Sequence, residues 1–96
     1  MYAVIRTYLG VGAKQLFELL EERKADVEAT LRTVPGLVSY TLLNTGDGGT
    51  AVTVCTDKTS TDASLKVARD WIQKNASHIH ANPPIVTEGP VLVQIN

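Results

Sequence analysis

The stretch Gly36–Asp57, GLVSYTLLNTGDGGTAVTVCTD, decides the fold of this chain. Its two segments Leu37–Asn44 and Thr50–Thr56 are rich in β-branched and apolar residues. Between them lies Thr45–Gly49, TGDGG, whose residues tolerate positive φ. The pattern predicts a β-hairpin. Because an isolated hairpin is marginally stable in water, we expect the rest of the chain to cover it.

The residues before the hairpin predict one strand and one long helix. Tyr2–Leu9 predicts the strand, which Gly10–Gly12 ends. A helix is predicted from Ala13 to about Thr33, because apolar residues recur there at helical spacing. Its apolar stripe comprises Leu16, Leu20, Val27 and Leu31. Pro35-Gly36 stops this helix and leads into the hairpin.

The residues after the hairpin predict a second helix and a last strand. The helix is predicted from about Thr61 to Asn75, with Thr59 and Asp62 as an approximate capping box. Its predicted apolar stripe is Leu65, Ala68 and Ile72, with Trp71 beside it. After a polar loop, Ile85–Ile95 predicts the last strand, with a bulge or bend at Gly89-Pro90.

The predicted order β-α-β-β-α-β is that of ferredoxin-like folds and makes one α+β domain of residues 1–96. We expect a four-stranded antiparallel sheet with both helices on one face. The strands carry apolar residues in both alternating sets, such as Val38 and Tyr40 against Leu37 and Leu43. Two helices cover one face only, so we expect a second copy to cover the other. The predicted assembly is a homodimer packed sheet to sheet as an α/β barrel.

Composition excludes several classes of protein. The chain has 96 residues, of which 44% are hydrophobic and 20% charged, with a net charge of -1. Without a basic surface we expect no nucleic-acid partner, and no apolar run approaches the ~18–20 residues of a membrane span. The first residues do not resemble a signal peptide, and Cys55 is the only cysteine. We therefore expect the cytoplasm.

Five residues are candidates for a ligand pocket, namely Arg6, Tyr8, Tyr40, Trp71 and His78. Trp71 is either a core residue or a flat wall for an aromatic ligand. The hydroxyls of Tyr8 and Tyr40 either orient a phenolic substrate or reach water at a sheet edge. Arg6 lies in an otherwise apolar alternating set and either pairs with a carboxylate or anchors an acidic or enolate ligand.

Other reactive side chains predict no further site. His78 and His80 are two residues apart, but a catalytic zinc site usually has three protein ligands. Glu88 or Asp57 would supply a third ligand, yet no spacing requires it, and we expect no metal. Cys55 alternates with small residues in a predicted strand, which favours burial as a small apolar group.

The turn Val34–Tyr40, VPGLVSY, together with the layout and length, resembles the dimeric α/β-barrel superfamily. Within it, the chain is most similar to small proteins of the antibiotic-biosynthesis-monooxygenase type. Those proteins commonly have Pro-Gly-Phe with a tyrosine or phenylalanine three residues after the phenylalanine, and this chain has Pro35-Gly36-Leu37 and Tyr40. The resemblance implies a cofactor-free monooxygenase-like protein that binds an aromatic or polyketide-like molecule between helices and sheet. Trp71, Tyr40 and Arg6 would line that pocket.

Haem-degrading relatives combine an asparagine on the first strand with a tryptophan on the second helix and a histidine soon after. Trp71 lies on the second helix, and His78 and His80 follow it. However, the first strand offers Arg6 and Thr7, and the histidines fall in the predicted loop, so we expect no haem and no other cofactor. The alternative function is a non-catalytic, ligand-binding or stress-related dimer, because few titratable side chains lie in apolar stretches. A pocket of several hundred Å³ with convergent polar groups would favour the enzyme, and a filled interior would favour the alternative.

Overall fold

The computed structural model describes residues 1–96 and shows a four-stranded sheet with helices on one face. The elements are β1 (Tyr2–Tyr8), α1 (Ala13–Glu22), α2 (Lys24–Leu31), β2 (Leu37–Asn44), β3 (Gly49–Cys55), α3 (Lys58–Asn75) and β4 (Ile85–Pro90). The strand order is β2-β3-β1-β4, and every neighbouring pair is antiparallel. The predicted ferredoxin-like class is confirmed.

The hairpin forms where the sequence predicts it, and β2 has the predicted bounds. In the turn, the Gly46 N–H donates to the Asn44 side chain at 2.9 Å, and Gly46 has a φ of 95°. At the start of β3, a Cβ on Gly49 would collide with the Phe17 ring. Gly49 therefore lets α1 pack directly against the hairpin.

The predicted first helix is interrupted, which corrects the expectation of one helix from Ala13 to Thr33. Arg23 has φ -106° and ψ 24°, and it separates α1 from α2. Its guanidinium forms an ion pair with Asp26 and lies 5.5 Å from the centroid of the Trp71 ring on α3. The interruption thus occurs where α1 and α2 meet the third helix, and the predicted apolar stripe stays buried on both sides of it.

The third helix begins earlier than predicted and buries a different stripe. Asp57 caps it, because its carboxylate accepts a hydrogen bond from the Ser60 N–H at 2.9 Å. The predicted capping box is therefore wrong. The buried residues are Thr61, Ser64, Ala68 and Trp71, whereas Leu65 and Ile72 are half-buried. The Thr61 and Ser64 hydroxyls donate to carbonyls of their own helix, so these small polar residues can be buried against the sheet.

The last strand ends at Pro90, which corrects the prediction that it runs to Ile95. The last backbone bond is from the Val91 N–H to the Met1 carbonyl at 3.0 Å. Because β1 begins at Tyr2, a longer β4 would have no partner strand in this chain. Residues 91–96 follow β4 without regular structure.

The two faces of the sheet have different cover. On the covered face, Val4 and Arg6 of β1 and Ala51 of β3 are buried beneath the helices. On the open face, Ile5 and Ile85 remain exposed, at 37% and 62%. The predicted partner copy for this face therefore stays a prediction. No helix has the length and apolar character that a membrane span requires.

Candidate functional site

A buried arginine is the most unusual feature of the covered face. Arg6 is 5% exposed, and its Nη1 donates to the Tyr8 hydroxyl oxygen at 2.8 Å. None of the ion pairs of the chain includes Arg6, and its buried Nε has no hydrogen-bond partner. A buried cation with no counter-charge is costly, so this guanidinium is available to an anion.

The strand register explains why an arginine fits there. Arg6 pairs with Ala51 on β3, and Ala51 pairs with Leu42 on β2. Ala51 is fully buried and its small side chain leaves room above the middle of the sheet. On the other side of Arg6, the Tyr8 ring packs at a tilt of 58° against Phe17, with ring centroids 5.6 Å apart. The sheet and α1 thereby fix the position of the Tyr8 hydroxyl.

Four of the five predicted pocket residues meet around one small cavity between helices and sheet. Arg6, Tyr8, Tyr40 and Trp71 all line it, with aliphatic side chains from all three helices. Its volume is about 20 Å³, which is room for about one water molecule. The interior is filled, and the predicted ligand-sized space at this position is not present.

Trp71 and Tyr40 are held by the protein itself. The Trp71 Nε1 donates to the Asp26 carboxylate at 3.3 Å, so its polar atom is satisfied. Burial raises the pKa of Tyr40, and the positive charge of Arg6 opposes that rise. These contacts fit the interpretation of Trp71 as a core residue and leave the hydroxyl of Tyr40 protonated at neutral pH.

A larger groove adjoins the small cavity, and Arg6 and Tyr8 line both. This α3–β4 groove lies between α3, residues 79–84 and β4, and its volume is about 530 Å³. The polar residues that line it are Arg6, Tyr8, Arg69, Gln73 and Asn82. Neither a carboxylate nor a histidine is among its lining residues. The groove combines apolar walls with positive charge and can accept a small anion.

A second large groove lies on the other side of the small cavity. This α2–β2 groove also has a volume of about 530 Å³, and Tyr40 lines both it and the small cavity. Its floor is apolar, and its rim carries Lys24, Glu28 and Arg32. Glu28 and Arg32 form an ion pair at 2.8 Å, which leaves Lys24 as the unpaired charge of the rim.

The remaining candidates lie outside these spaces. His78 is exposed in the segment after α3 and lines neither of the grooves nor the small cavity. No group of three or more histidine, cysteine or acidic residues is placed to hold a metal ion. Burial raises the pKa of the Cys55 thiol, and nearby Asp57 adds to that rise, so the thiol stays protonated.

Three polar residues of the α3–β4 groove do not appear among the sequence candidates. Arg69 and Gln73 are four residues apart on α3, which places them on one side of the helix. This spacing is a signal by which the sequence could have identified them. Asn82 lies in an irregular segment, where no periodicity predicts its direction.

Comparison with known proteins bears on the fold. No family model matches the sequence, and no curated protein matches it. NE2512 from Nitrosomonas europaea, a protein of unknown function, superposes with a TM-score of 0.72 at 16% identity, over 99% of this chain and 91% of NE2512. The ActVA-Orf6 monooxygenase of Streptomyces coelicolor, in complex with nanaomycin D, gives 0.61 at 21% identity, over 99% and 89%. A dimeric ferredoxin-like protein from an uncultured marine organism gives 0.64 at 10% identity, over 99% and 96%.

The structural neighbours include monooxygenases of antibiotic biosynthesis, and the chain shares their ferredoxin-like fold. The resemblance predicted from the Pro35-Gly36 turn and the element order is thus confirmed at the level of the fold. On this fold, the present chain places the buried Arg6 beside the α3–β4 groove.

Proposed function

We propose that this chain binds a small aromatic molecule with an acidic group in the α3–β4 groove, and that Arg6 is the partner of its anion. The supporting observation is that Arg6 is buried, forms no ion pair and leaves Nε without a partner. An unbalanced buried charge destabilises a protein by several kcal/mol, and a bound anion would remove that cost.

The groove suits such a ligand in size and in polarity. Its volume of about 530 Å³ lies within the roughly 300–1,000 Å³ of typical small-molecule sites. The Tyr8 hydroxyl oxygen accepts from Arg6, which leaves its own proton free to donate to a ligand oxygen. Arg69 and Gln73 would contact the solvent-facing end of the molecule.

The chemistry we propose for this site is cofactor-free oxygenation of an aromatic or polyketide-like substrate. A cation within about 4–6 Å lowers the pKa of an acid by roughly 1–3 units, so Arg6 would favour the phenolate or enolate of the substrate. That anion would react with O2 at a ring CH2 carbon. One oxygen atom would form a carbonyl at that carbon, and the other would leave as water with the two hydrogens that the carbon loses. Because no lining side chain is a carboxylate or histidine, the substrate would lose its proton to solvent.

Non-catalytic binding is the second candidate function. The filled interior and the absence of a general base among the lining residues both favour it. In either case we propose a homodimer in the cytoplasm, with a second copy on the open face. The exposed Ile5 and Ile85 support the dimer, and one protein of the same fold is described as dimeric.

A chromophoric phenol tests the anion site directly. We expect 4-nitrophenol to form its coloured anion at a pH about 1–3 units lower when bound than when free. In the variant Arg6→Met this shift should disappear, whereas Arg23→Met, which changes an exposed arginine outside the groove, should preserve it. An unshifted titration with the unaltered protein would refute the role of Arg6.

Oxygen uptake separates the two candidate functions. If the protein is an oxygenase, a hydroxylated anthrone should consume O2 and form the anthraquinone faster than it does without protein. A protein that shifts the nitrophenol titration but consumes no O2 is a binding protein. The same assay on Arg6→Met should show the background rate.

A further inference from the structure

The four arginines of the chain differ in whether they have a counter-charge. Arg23 and Arg32 form ion pairs with acids three and four residues away. Arg6 and Arg69 take part in none of the ion pairs of the chain. The two paired arginines lie outside the α3–β4 groove, whereas the two without a counter-charge both line it. The groove therefore contains two cations that no side chain of the protein neutralises.

The sequence around Arg69 explains why it has no partner. On a helix, ion pairs form between residues that are three or four positions apart. At these positions relative to Arg69, α3 has Leu65, Lys66, Ile72 and Gln73, none of which is acidic. Acids are not scarce elsewhere, since the chain has 10 of them against 9 lysines and arginines. The cationic lining is therefore a local feature of the groove and not a result of composition.

The two unpaired arginines lie at different depths in the groove. Arg6 projects from the sheet and is 5% exposed, so its guanidinium lies at the bottom. Arg69 follows the buried Ala68 on α3 and is itself exposed, so its guanidinium lies at the mouth. Most of the other lining residues are apolar, among them Ile72 and Pro84. A ligand that meets both cations must therefore have an apolar body and an acidic group at each end.

We propose that the ligand of the α3–β4 groove is a doubly acidic aromatic molecule, with a phenol or enol at Arg6 and a carboxylate at Arg69. The inference rests on the proposed function and specifies the second end of its ligand. A carboxylate suits the mouth, because one oxygen can accept from the Arg69 guanidinium and the other from the amide of Gln73, on the same side of α3. Arg69 would then determine specificity, whereas Arg6 favours the ionised phenol.

Two probes that differ only at the end away from the phenol test the role of Arg69. 4-Hydroxy-3-nitrophenylacetic acid has a coloured phenolate and a carboxylate, and in its amide an uncharged group replaces the carboxylate. At a pH where the phenol is ionised, absorbance titration should show that the acid binds about fivefold more tightly than the amide, as expected for one ion pair at an exposed position. Arg69→Gln should reduce the affinity for the acid to that for the amide, and leave the amide within about twofold.

Lys66→Gln is the matched control. Lys66 is exposed on α3, three residues from Arg69, and does not line the groove. The substitution removes the same charge from the same helix, so it should preserve the fivefold preference if the carboxylate contacts Arg69 directly. Because both side chains are exposed and neither forms an ion pair, both variants should retain the circular dichroism spectrum of the unaltered protein.

The outcomes distinguish this inference from the proposed function. If both probes bind equally tightly and both show the shifted phenol titration, the second acidic group is refuted and the anion site at Arg6 stands. If Arg69→Gln weakens both probes alike, the two arginines share one anion, which also refutes the second acidic group. Loss of the preference in Lys66→Gln would refute the direct contact with Arg69. If neither probe binds, the proposed function and this inference both fail.

Discussion

The two faces of this sheet show opposite anomalies: one buries a charged side chain, and the other exposes large apolar side chains. On the covered face the charged Arg6 is 5% exposed, whereas on the open face Ile5 and Ile85 are in contact with solvent. In most soluble domains a charge is outside and isoleucine is inside. The two proposals account for both departures: an anion would pair with Arg6 on the covered face, and a second copy would cover the open face.

The largest effect is expected from a substitution that weakens the covered face. Phe17 is fully buried, packs on Tyr8 and lies so close to Gly49 that a Cβ there would collide with its ring. We expect Phe17→Ala to lower the free energy of unfolding by about 3–5 kcal/mol, because it leaves a cavity under α1. Urea denaturation measures this. Leu9→Ala, at an exposed position outside both faces, should change stability by less than about 0.5 kcal/mol.

The corresponding substitution on the open face should affect assembly rather than folding. Ile5 lies at the middle of β1, between β3 and β4. We expect Ile5→Lys to convert a dimer to a monomer in native mass spectrometry, because it places two like charges in the proposed interface. Ile5→Val retains an apolar, β-branched side chain and should remain dimeric. If Ile5→Lys is dimeric at micromolar concentration, the open face is not the interface.

The hairpin shows how much of the fold the sequence predicts. The bounds of β2 follow from local signals, since the apolar alternation ends where the glycine-rich turn begins. The interruption at Arg23 does not follow from them. No glycine or proline marks it, and its contacts are with Asp26 and Trp71, which only the folded chain brings together. The end of β4 is likewise a tertiary effect, because Val91–Ile95 has strand character but no partner strand in the chain.

In the candidate site too, local signals predict some features and tertiary contacts determine the others. Alternation along β1 predicts that Arg6 and Tyr8 share one face, and they form a hydrogen bond there. Whether an arginine is paired depends on carboxylates far away in sequence, which periodicity does not place. The size of the interior is also beyond the sequence, because the closeness of α1 and β3 depends on the match of Phe17 to Gly49. The sequence therefore identifies the residues around the small cavity but not that they leave room for only about 20 Å³.

Replacing Arg6 itself should separate stability from binding. We expect Arg6→Met to raise the free energy of unfolding by about 1–4 kcal/mol without ligand, because an apolar side chain of similar length replaces an unbalanced buried charge. Arg6→Ala should lower it, because the removed side chain leaves a cavity beside Ala51. Thermal unfolding measures both variants. A destabilised Arg6→Met would indicate that the bond to Tyr8 outweighs the cost of burying the charge, and that Arg6 has a structural role.

The smallest effect is expected at Asp57, which fixes the start of the helix that covers Arg6. The Ser60 N–H bond lowers the pKa of Asp57 below its ordinary value of 3.8. A carboxylate whose pKa is lower in the folded chain stabilises the fold above its unfolded pKa, and this contribution is lost as pH falls through the folded pKa.

Asp57→Asn retains an acceptor oxygen but does not titrate. The unaltered protein should therefore be slightly more stable than Asp57→Asn at pH 7, and the urea midpoints should converge as pH falls below 3.8. A difference that persists at low pH would mean that geometry, and not charge, makes Asp57 the better cap. Either result bears on α3 alone, because Asp57 contacts neither the grooves nor the open face.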